Sequence, residues 1–296
     1  MIRKLMITYV CLAVFAAASV SGQTRIGIAG AVEWDTLEIK AAVSLDLASA
    51  GIKLPSGRTQ GEALINTEYV RLIRPGIMDL QVDSSSTITD LIERGELSLL
   101  ETENLAYQAR AVPPALTPDL RNISAAYTLS LDSVSAALLR HNRPREIMRT
   151  LNPVSAPVYT GIIIIASESL PVHGMKGSAL PVPCLFPKIW DTNMNLIFEQ
   201  TMLGLKSTAM VRYSPVNSIF QNNPSGLSPE LRALVGDRPL RIFARGVFGI
   251  KPTDLIIDHE DAMIIISSNE NRRLLTEGKV AIILDDSVLR SGFSGT

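Results

Sequence analysis

Between residues 37 and 48 apolar and polar positions alternate, with Leu37, Ile39, Ala41, Val43, Leu45 and Leu47 set against Glu38, Lys40, Ala42, Ser44, Asp46 and Ala48. Period two over that length predicts a strand with one buried face and one mostly wet face. Residues 57–74 switch to helical spacing, carrying Leu64, Ile65, Tyr69, Leu72 and Ile73 on one stripe, and Pro75-Gly76 predicts the end of that helix. Residues 77–82 read as a short strand. Ser86-Thr87-Ile88-Thr89-Asp90 predicts a short capped helix, which Gly95 can end in a left-handed cap. Alternation returns where Ala126, Thr128, Ser130 and Asp132 face Tyr127, Leu129 and Leu131; with residues 134–139 this predicts a long bent strand or a hairpin.

The second half opens on Tyr159-Thr160-Gly161-Ile162-Ile163-Ile164-Ile165-Ala166, whose β-branched run suits a central strand buried on both faces. Further strands are expected at residues 180–190, 195–200, 209–213 and 240–249. Residues 255–257 and 279–284 flank a helical stretch and predict a βαβ unit, with Asp258 as cap, Glu260 and Asp261 at the positive end, Arg272 and Arg273 towards the negative end, and Gly278 as the stop. The expected fold class is α+β: two mixed, largely antiparallel sheets, each with helices packed on one face, the second containing a βαβ unit.

The order of segments also divides the chain. Arg3 and Lys4 precede an apolar run over residues 5–18 and then the small residues Ala18-Ser19-Val20-Ser21-Gly22, the three parts of a secretory signal peptide in their proper order. About 14 apolar residues at 1.5 Å rise cover roughly 21 Å, short of the ~30 Å bilayer core, so cleavage near Gly22 is expected in preference to a retained anchor. Cys11 sits inside that run behind Val10 and is not expected to be lipidated. The expected domains are a signal peptide at residues 1–22, an N-terminal α+β domain at 23–142, a Pro- and Arg-rich linker at 143–157, a C-terminal α+β domain at 158–290 and a tail at 291–296. With its leader gone, the chain is expected to be a soluble periplasmic protein that meets the membrane only through the signal segment before cleavage.

Composition narrows the chemistry. A net charge of -1 with 46% hydrophobic and 19% charged residues excludes a disordered chain and a basic nucleic-acid binder. Two cysteines and three histidines rule out a disulfide framework and a Cys-rich zinc module. Arg25-Ile26-Gly27-Ile28-Ala29-Gly30-Ala31 lacks the third glycine and the preceding strand of a dinucleotide loop. Cys184 would need a neighbouring imidazole to act as a nucleophile, and its apolar surroundings point to packing instead. Asp258-His259-Glu260-Asp261 offers three carboxylates and an imidazole, but successive helical residues point apart, so a helix start favoured by the dipole is the expected role. His141 and His173 fall in surface turns without ligand spacing. Ser167-Glu168-Ser169 follows a core strand without the Gly-x-Ser-x-Gly elbow, and Arg143, Arg145 and Arg149 are too few to hold nucleic acid. No catalytic, cofactor-binding or metal-ligating residue is assigned.

The run Arg58-Thr59-Gln60-Gly61-Glu62-Ala63 followed by Leu80-Gln81-Val82-Asp83-Ser84-Ser85-Ser86-Thr87-Ile88-Thr89-Asp90-Leu91 resembles the small outer-membrane lipoproteins related to flagellar basal-disk and flagellar assembly T proteins. In the second half Tyr159-Thr160-Gly161-Ile162-Ile163-Ile164, Leu185-Phe186-Pro187-Lys188-Ile189-Trp190-Asp191 and Asp254-Leu255-Ile256-Ile257 with Asp261-Ala262 resemble the C-terminal extension of longer exported relatives, among them uncharacterised exported proteins of spirochaetes. Ile165 stands where those relatives carry a strand-end Asp, and the 171–177 loop is unmatched. The resemblance implies a non-enzymatic envelope protein with an assembly or scaffolding role, associated with the flagellar base, whose partners are other envelope or flagellar proteins or a second copy, and no cofactor. The alternative expectation is a periplasmic small-molecule-binding or hydrolytic protein with a cleft between the halves, lined by Trp190, Tyr213 and the loop at His173.

Overall fold

The computed structural model describes residues 26–207 and 209–296; the expected leader, Cys11 and Arg25 lie outside the described residues. The first half runs β1 (Ile26–Glu33), β2 (Glu38–Asp46), α1 (Arg58–Met78), α2 (Ile88–Glu93), α3 (Leu99–Tyr107), β3 (Arg110–Leu116), β4 (Asn122–Ser130) and α4 (Leu131–Leu138). The second adds β5 (Ile162–Ile165), β6 (Leu170–Pro171), β7 (Ser178–Ala179), β8 (Ile189–Asp191), β9 (Leu196–Phe198), β10 (Arg212–Pro215), α5 (Pro229–Val235), β11 (Leu240–Phe248), β12 (Asp254–Ile257), α6 (His259–Ser267), α7 (Asn269–Thr276), β13 (Val280–Leu284) and β14 (Arg290–Gly295). The architecture is α+β, as the hydrophobic pattern predicts; the first sheet is antiparallel throughout, and the second, expected to be largely antiparallel, is mixed with four of its six neighbour pairs parallel.

Five strands form the first sheet in the order β14-β1-β2-β4-β3, every neighbour antiparallel. Along β2 the alternation is realised: Ile39, Ala41, Val43 and Leu45 are buried, while Lys40, Ser44 and Asp46 face water. Helix α1 covers the apolar face with Ile65, Tyr69, Leu72, Ile73 and Ile77. Each such side chain contributes at most about 1.5–3 kcal/mol of burial. Tyr69 stacks on Tyr127 of β4 with ring centroids 3.5 Å apart.

Several local expectations are corrected. Helix α1 passes through Pro75 and ends at Met78. Proline removes one bond of the ladder, but the final turn is held by the Asp79 N–H donating to Pro75 O at 3.0 Å and by the burial of Gly76 and Ile77. Residues 77–82 are therefore helix end and loop, with only a bridge from Gln81 to Thr87. Helix α2 is present; Thr87 caps it in a reciprocal box with Asp90, and Gly95 follows at φ 73°. Residues after Ser130 form α4 and not a strand return, because Ser130 accepts from the Asp132 N–H and starts a helix. Strand β1 is an addition, since Gly27, Ala29 and Gly30 hide its alternation.

Seven strands form the second sheet in the order β10-β13-β5-β11-β12-β8-β9. Strand β5 lies between the parallel strands β13 and β11, and Ile162, Ile163 and Ile164 are buried, as its sequence predicts. Its two faces meet different cores: Ile163, Ala281 and Ile283 pack beneath Leu231 and Val235 of α5, whereas Ile162, Ile164 and Ile282 join the larger core with Ile265 of α6 and Leu275 of α7. Helices thus cover both faces here. The parallel strand–helix–strand passage is β10-α5-β11; β12 and β13, the pair expected to form it, are separated by β11 and β5 and run antiparallel to one another. Ser268 divides the intervening helix into α6 and α7 by accepting from the Asn271 N–H. The long strand expected over 180–190 is only β8, because prolines 181, 183 and 187 keep the preceding segment out of the ladder.

Two connections join the halves. Residues 143–157 lack helix or strand but lie on the second half: Ile147 is buried, the Arg145 N–H donates to Thr201 O and the Val154 N–H to Ser267 Oγ. Residues 291–296, expected as a tail, instead complete β14, which pairs with β1 over six residues from Arg290 opposite Glu33 to Gly295 opposite Ile28. Its Phe293 ring occupies space left by Gly30 of β1 and Gly76 of α1; a Cβ at either glycine would lie 2.4 Å or 2.7 Å from ring atoms. One apolar core therefore runs through both halves.

Removing that ring tests the closure. Phe293→Ala should lower the unfolding free energy by about 1.5–3 kcal/mol, less than the full core value because the ring is only partly buried. Gly76→Val should cost at least as much, and urea melts with a single transition in both variants would confirm that the two halves unfold together.

Candidate functional site

The junction between the halves is organised by one buried carboxylate. Asp254 opens β12 and is 1% exposed. It accepts from the Lys188 N–H at 3.1 Å, the Ser84 hydroxyl at 3.2 Å, the Thr253 hydroxyl at 3.3 Å and the Trp190 indole N–H at 3.4 Å. Ser84 belongs to the first half, so the carboxylate ties the two together. Burial pushes its pKa above the usual carboxylate range, against the pull of its donors. Backbone bonds continue the seam: the Leu185 N–H donates to Gln81 O at 3.0 Å, the Phe186 N–H to Val82 O at 2.8 Å and the Lys251 N–H to Ser84 O at 2.9 Å. Gly249 permits this approach; it holds φ 106°, and a Cβ there would lie 2.3 Å from that of Ser84.

Beside the seam opens a cleft of about 590 Å³. Val32, Trp34 and Leu80 line it from the first half, Val182, Pro183 and Pro252 from the second, and β14 from Arg290 to Phe293 runs along one side. Its polar groups include Asp79, Gln81, Lys251 and Arg290. An apolar trough with a few charged groups at a domain junction is suited to binding. The residues expected to line it do otherwise. Trp190 and His173 pack edge-on to Phe248, each with centroids 5.9 Å away. Tyr213 is buried, donates its hydroxyl to Cys184 O at 2.8 Å, receives the Cys184 N–H at 3.1 Å and meets Trp34 edge-on at 5.9 Å.

A second feature lies at the start of α6. Asp258 occupies the N-cap position without making a cap bond, and its carboxylate instead meets Arg245 at 3.2 Å. His259 turns away from its neighbours, and its Nδ1 lies 2.7 Å from Oδ2 of Asp191 at the end of β8. Asp191 also receives the Asn195 N–H at 2.7 Å, the Asn195 side-chain amide at 2.9 Å and the Asn193 N–H at 3.0 Å. Burial opposes ionisation there, but the bonds from Asn195 and His259 prevail and hold the carboxyl below its usual range. The pair pins α6 to the β8–β9 turn and orients the imidazole. Sequence spacing could not reveal it, because its members lie 68 positions apart.

The remaining chemical candidates stay separate. Cys184 is buried, and burial pushes its thiol upward, well away from thiolate reactivity. His141 Nε2 lies 2.8 Å from Leu203 O. Among the described residues, no three His, Cys, Asp or Glu side chains converge as metal ligands would. No helix of the described residues is long and apolar enough to cross a membrane.

Two measurements follow. Asp191 has a lowered folded pKa, so its stabilisation is present above the usual carboxylate pKa and lost as pH falls through the lowered value. Asp191→Asn should flatten the acid limb of a stability–pH curve taken from urea midpoints; an unchanged limb would contradict the pairing. Iodoacetamide should label Cys184 in the native protein only at the rate of its opening, and fast labelling at neutral pH would contradict its burial.

Residues 25–137 match the family model described as Treponema pallidum Tp0624, N-terminal domain, and residues 161–286 match the one described as Treponema pallidum Tp0624, second domain. Among curated proteins none matches the chain. Neither family match is to a flagellar or lipoprotein family. Half by half, and in the same order, the chain is similar to the N-terminal and second domains of that spirochaete protein.

Proposed function

We propose that this chain is an exported, non-enzymatic protein of the bacterial envelope with an assembly or scaffolding role, and that it receives its partner in the cleft between its halves. The observation that carries this reading is that the cleft walls come from three parts of the chain, both halves and β14, all joined through one apolar core. A trough held by the whole fold can present a fixed surface without a catalytic group. Export and a periplasmic location rest on the arrangement of residues 1–22. A place at the flagellar base rests on the sequence resemblance of residues 58–91 to lipoproteins and flagellar assembly T proteins, and partners would then be envelope or flagellar proteins.

The alternative, a periplasmic small-molecule-binding or hydrolytic protein, is favoured by one feature. A cavity of about 590 Å³ lies within the range of roughly 300–1,000 Å³ for small-molecule sites.

Photo-crosslinking residues placed at Val182 and Lys251 in the native envelope should give discrete adducts with another protein, whereas a probe at exposed Leu151 should not. Adducts equal at all three positions, or none at the cleft, would overturn the docking reading. A midpoint rise with a metabolite in a thermal-shift screen of the purified chain would favour the small-molecule reading instead. Normal motility in a deletion strain would remove the flagellar part of the proposal.

A further inference from the structure

The two walls of the cleft carry opposite charges that do not meet. Asp79, the residue after α1, lines it from the first half, and Lys251, in the turn between β11 and β12, lines it from the second. Asp79 closes the helix with its backbone N–H on Pro75 O and Ile77 O, and the Lys251 backbone donates to Ser84 O and accepts from the Thr253 N–H. Among the described residues, neither the carboxylate nor the ammonium has a hydrogen-bond or ion-pair partner. Arg290 also borders the cleft, but its guanidinium is drawn to Glu33, 3.8 Å away. The charges left facing the cleft are therefore one of each sign, on opposite walls.

Asp79 also stands against a local rule. The carboxyl end of a helix is the negative end of its dipole, where a cation is favoured and a carboxylate is not. The last turn of α1 has no basic residue, and Arg74, one turn back, is engaged by Glu103. Gln81 lines the same wall; its Nε2 donates to Asp83 O at 2.6 Å and to Ser86 O at 3.1 Å, which leaves Oε1 as an acceptor. The first wall thus offers a carboxylate, a helix end and an amide carbonyl with no cation of its own. Across from it, Lys251 stands among Val182, Pro183 and Pro252, and Trp34, Leu80 and Phe293 supply apolar lining between.

We infer that the cleft binds a small zwitterion with an apolar body, an apolar amino acid or short peptide with free ends, whose ammonium meets Asp79 and Gln81 and whose carboxylate meets Lys251. The inference rests on the reading of the cleft as the receiving site and names the chemistry that site takes. A ligand of single charge would satisfy one wall and cover the opposite charge with apolar surface, which costs its hydration without return. A ligand with both ends charged satisfies both walls, and charge-assisted bonds at each end fix its direction. An amino acid and a peptide share this chemistry and differ in span, by at most about 3.3–3.6 Å for each added residue. Length is therefore read by experiment.

Calorimetric titration of the purified full chain with leucine, dileucine and trileucine tests this, each with free ends, with an acetylated amine and with an amidated carboxyl. At least one free-ended member should bind, and either block should weaken it at least about tenfold. Asp79→Asn should weaken the free-ended ligand by about the same factor and leave the acetylated one unchanged. Lys251→Met, which keeps the stem and removes the charge, should weaken the free-ended ligand and leave the amide unchanged. Asp79→Asn relieves the helix end, so the unliganded variant should be at least as stable as wild type; a general disruption would weaken every ligand alike. The blocked ligands decide the matter on wild type alone should a variant fail to fold. No binding at millimolar ligand, equal affinity for free and blocked forms, or losses in the variants that do not follow the blocked end would overturn the inference. Protein adducts from position 182 in the envelope, alongside any of those results, would leave the docking role standing without the zwitterion. Selective binding of a free-ended ligand without such adducts would support the inference and remove the protein-docking role.

Discussion

The ring of Phe293 lies where the missing side chains of Gly30 and Gly76 leave room, and the architecture depends on that contact. The chain leaves the first sheet after β4, builds the second sheet and then returns to add β14 beside β1. A strand at a sheet edge is stable only if its apolar side chain finds a home, and here that home is made by two glycines on different elements. Because β14 follows β13 through a short connection, its docking fixes the second half against the first. The cleft exists because both sides of this closure remain at a set distance.

The Asp254 seam supports the same geometry in a different way. A carboxylate taken out of water loses hydration that its donors only partly replace, which is why its pKa rises. Replacing such a group by an apolar one can leave stability unchanged, so its contribution is one of direction. Four donors from Ser84, Lys188, Trp190 and Thr253 are satisfied together only when the 81–84 loop sits against 184–190 and 249–254. Apolar packing through the junction tolerates small slides; a buried carboxylate with a full set of donors does not.

Much of this fold is legible in the chain, and the failures have physical causes. Strands β2 and β5 follow from their patterns because their burial is complete on one face or on both. The cap at Thr87 and the turn at Gly95 follow from local chemistry alone. Strand β1 is hidden because its close neighbours demand glycine, which removes the side chains that periodicity needs. The last turn of α1 survives Pro75 because tertiary burial of Ile77 outweighs a missing hydrogen bond. The relation of β12 to β13 is a matter of sheet order, to which local pattern is blind. For the site the limit is sharper still: Ser84 meets Asp254 across 170 positions, and the charged rim of the cleft brings Asp79 together with Lys251 and Arg290.

The oriented imidazole of His259 faces Asp191 at the β8–β9 turn, and the buried thiol of Cys184 is held by its backbone to Tyr213. Neither residue lines the cleft: the oriented imidazole stands apart from that space, and the thiol is held away from thiolate reactivity by its burial. The cleft is lined by apolar wall from both halves, by Asp79, Gln81 and Lys251, and by β14 from Arg290 to Phe293. Their convergence requires the return of β14 to the sheet in which the described fold begins.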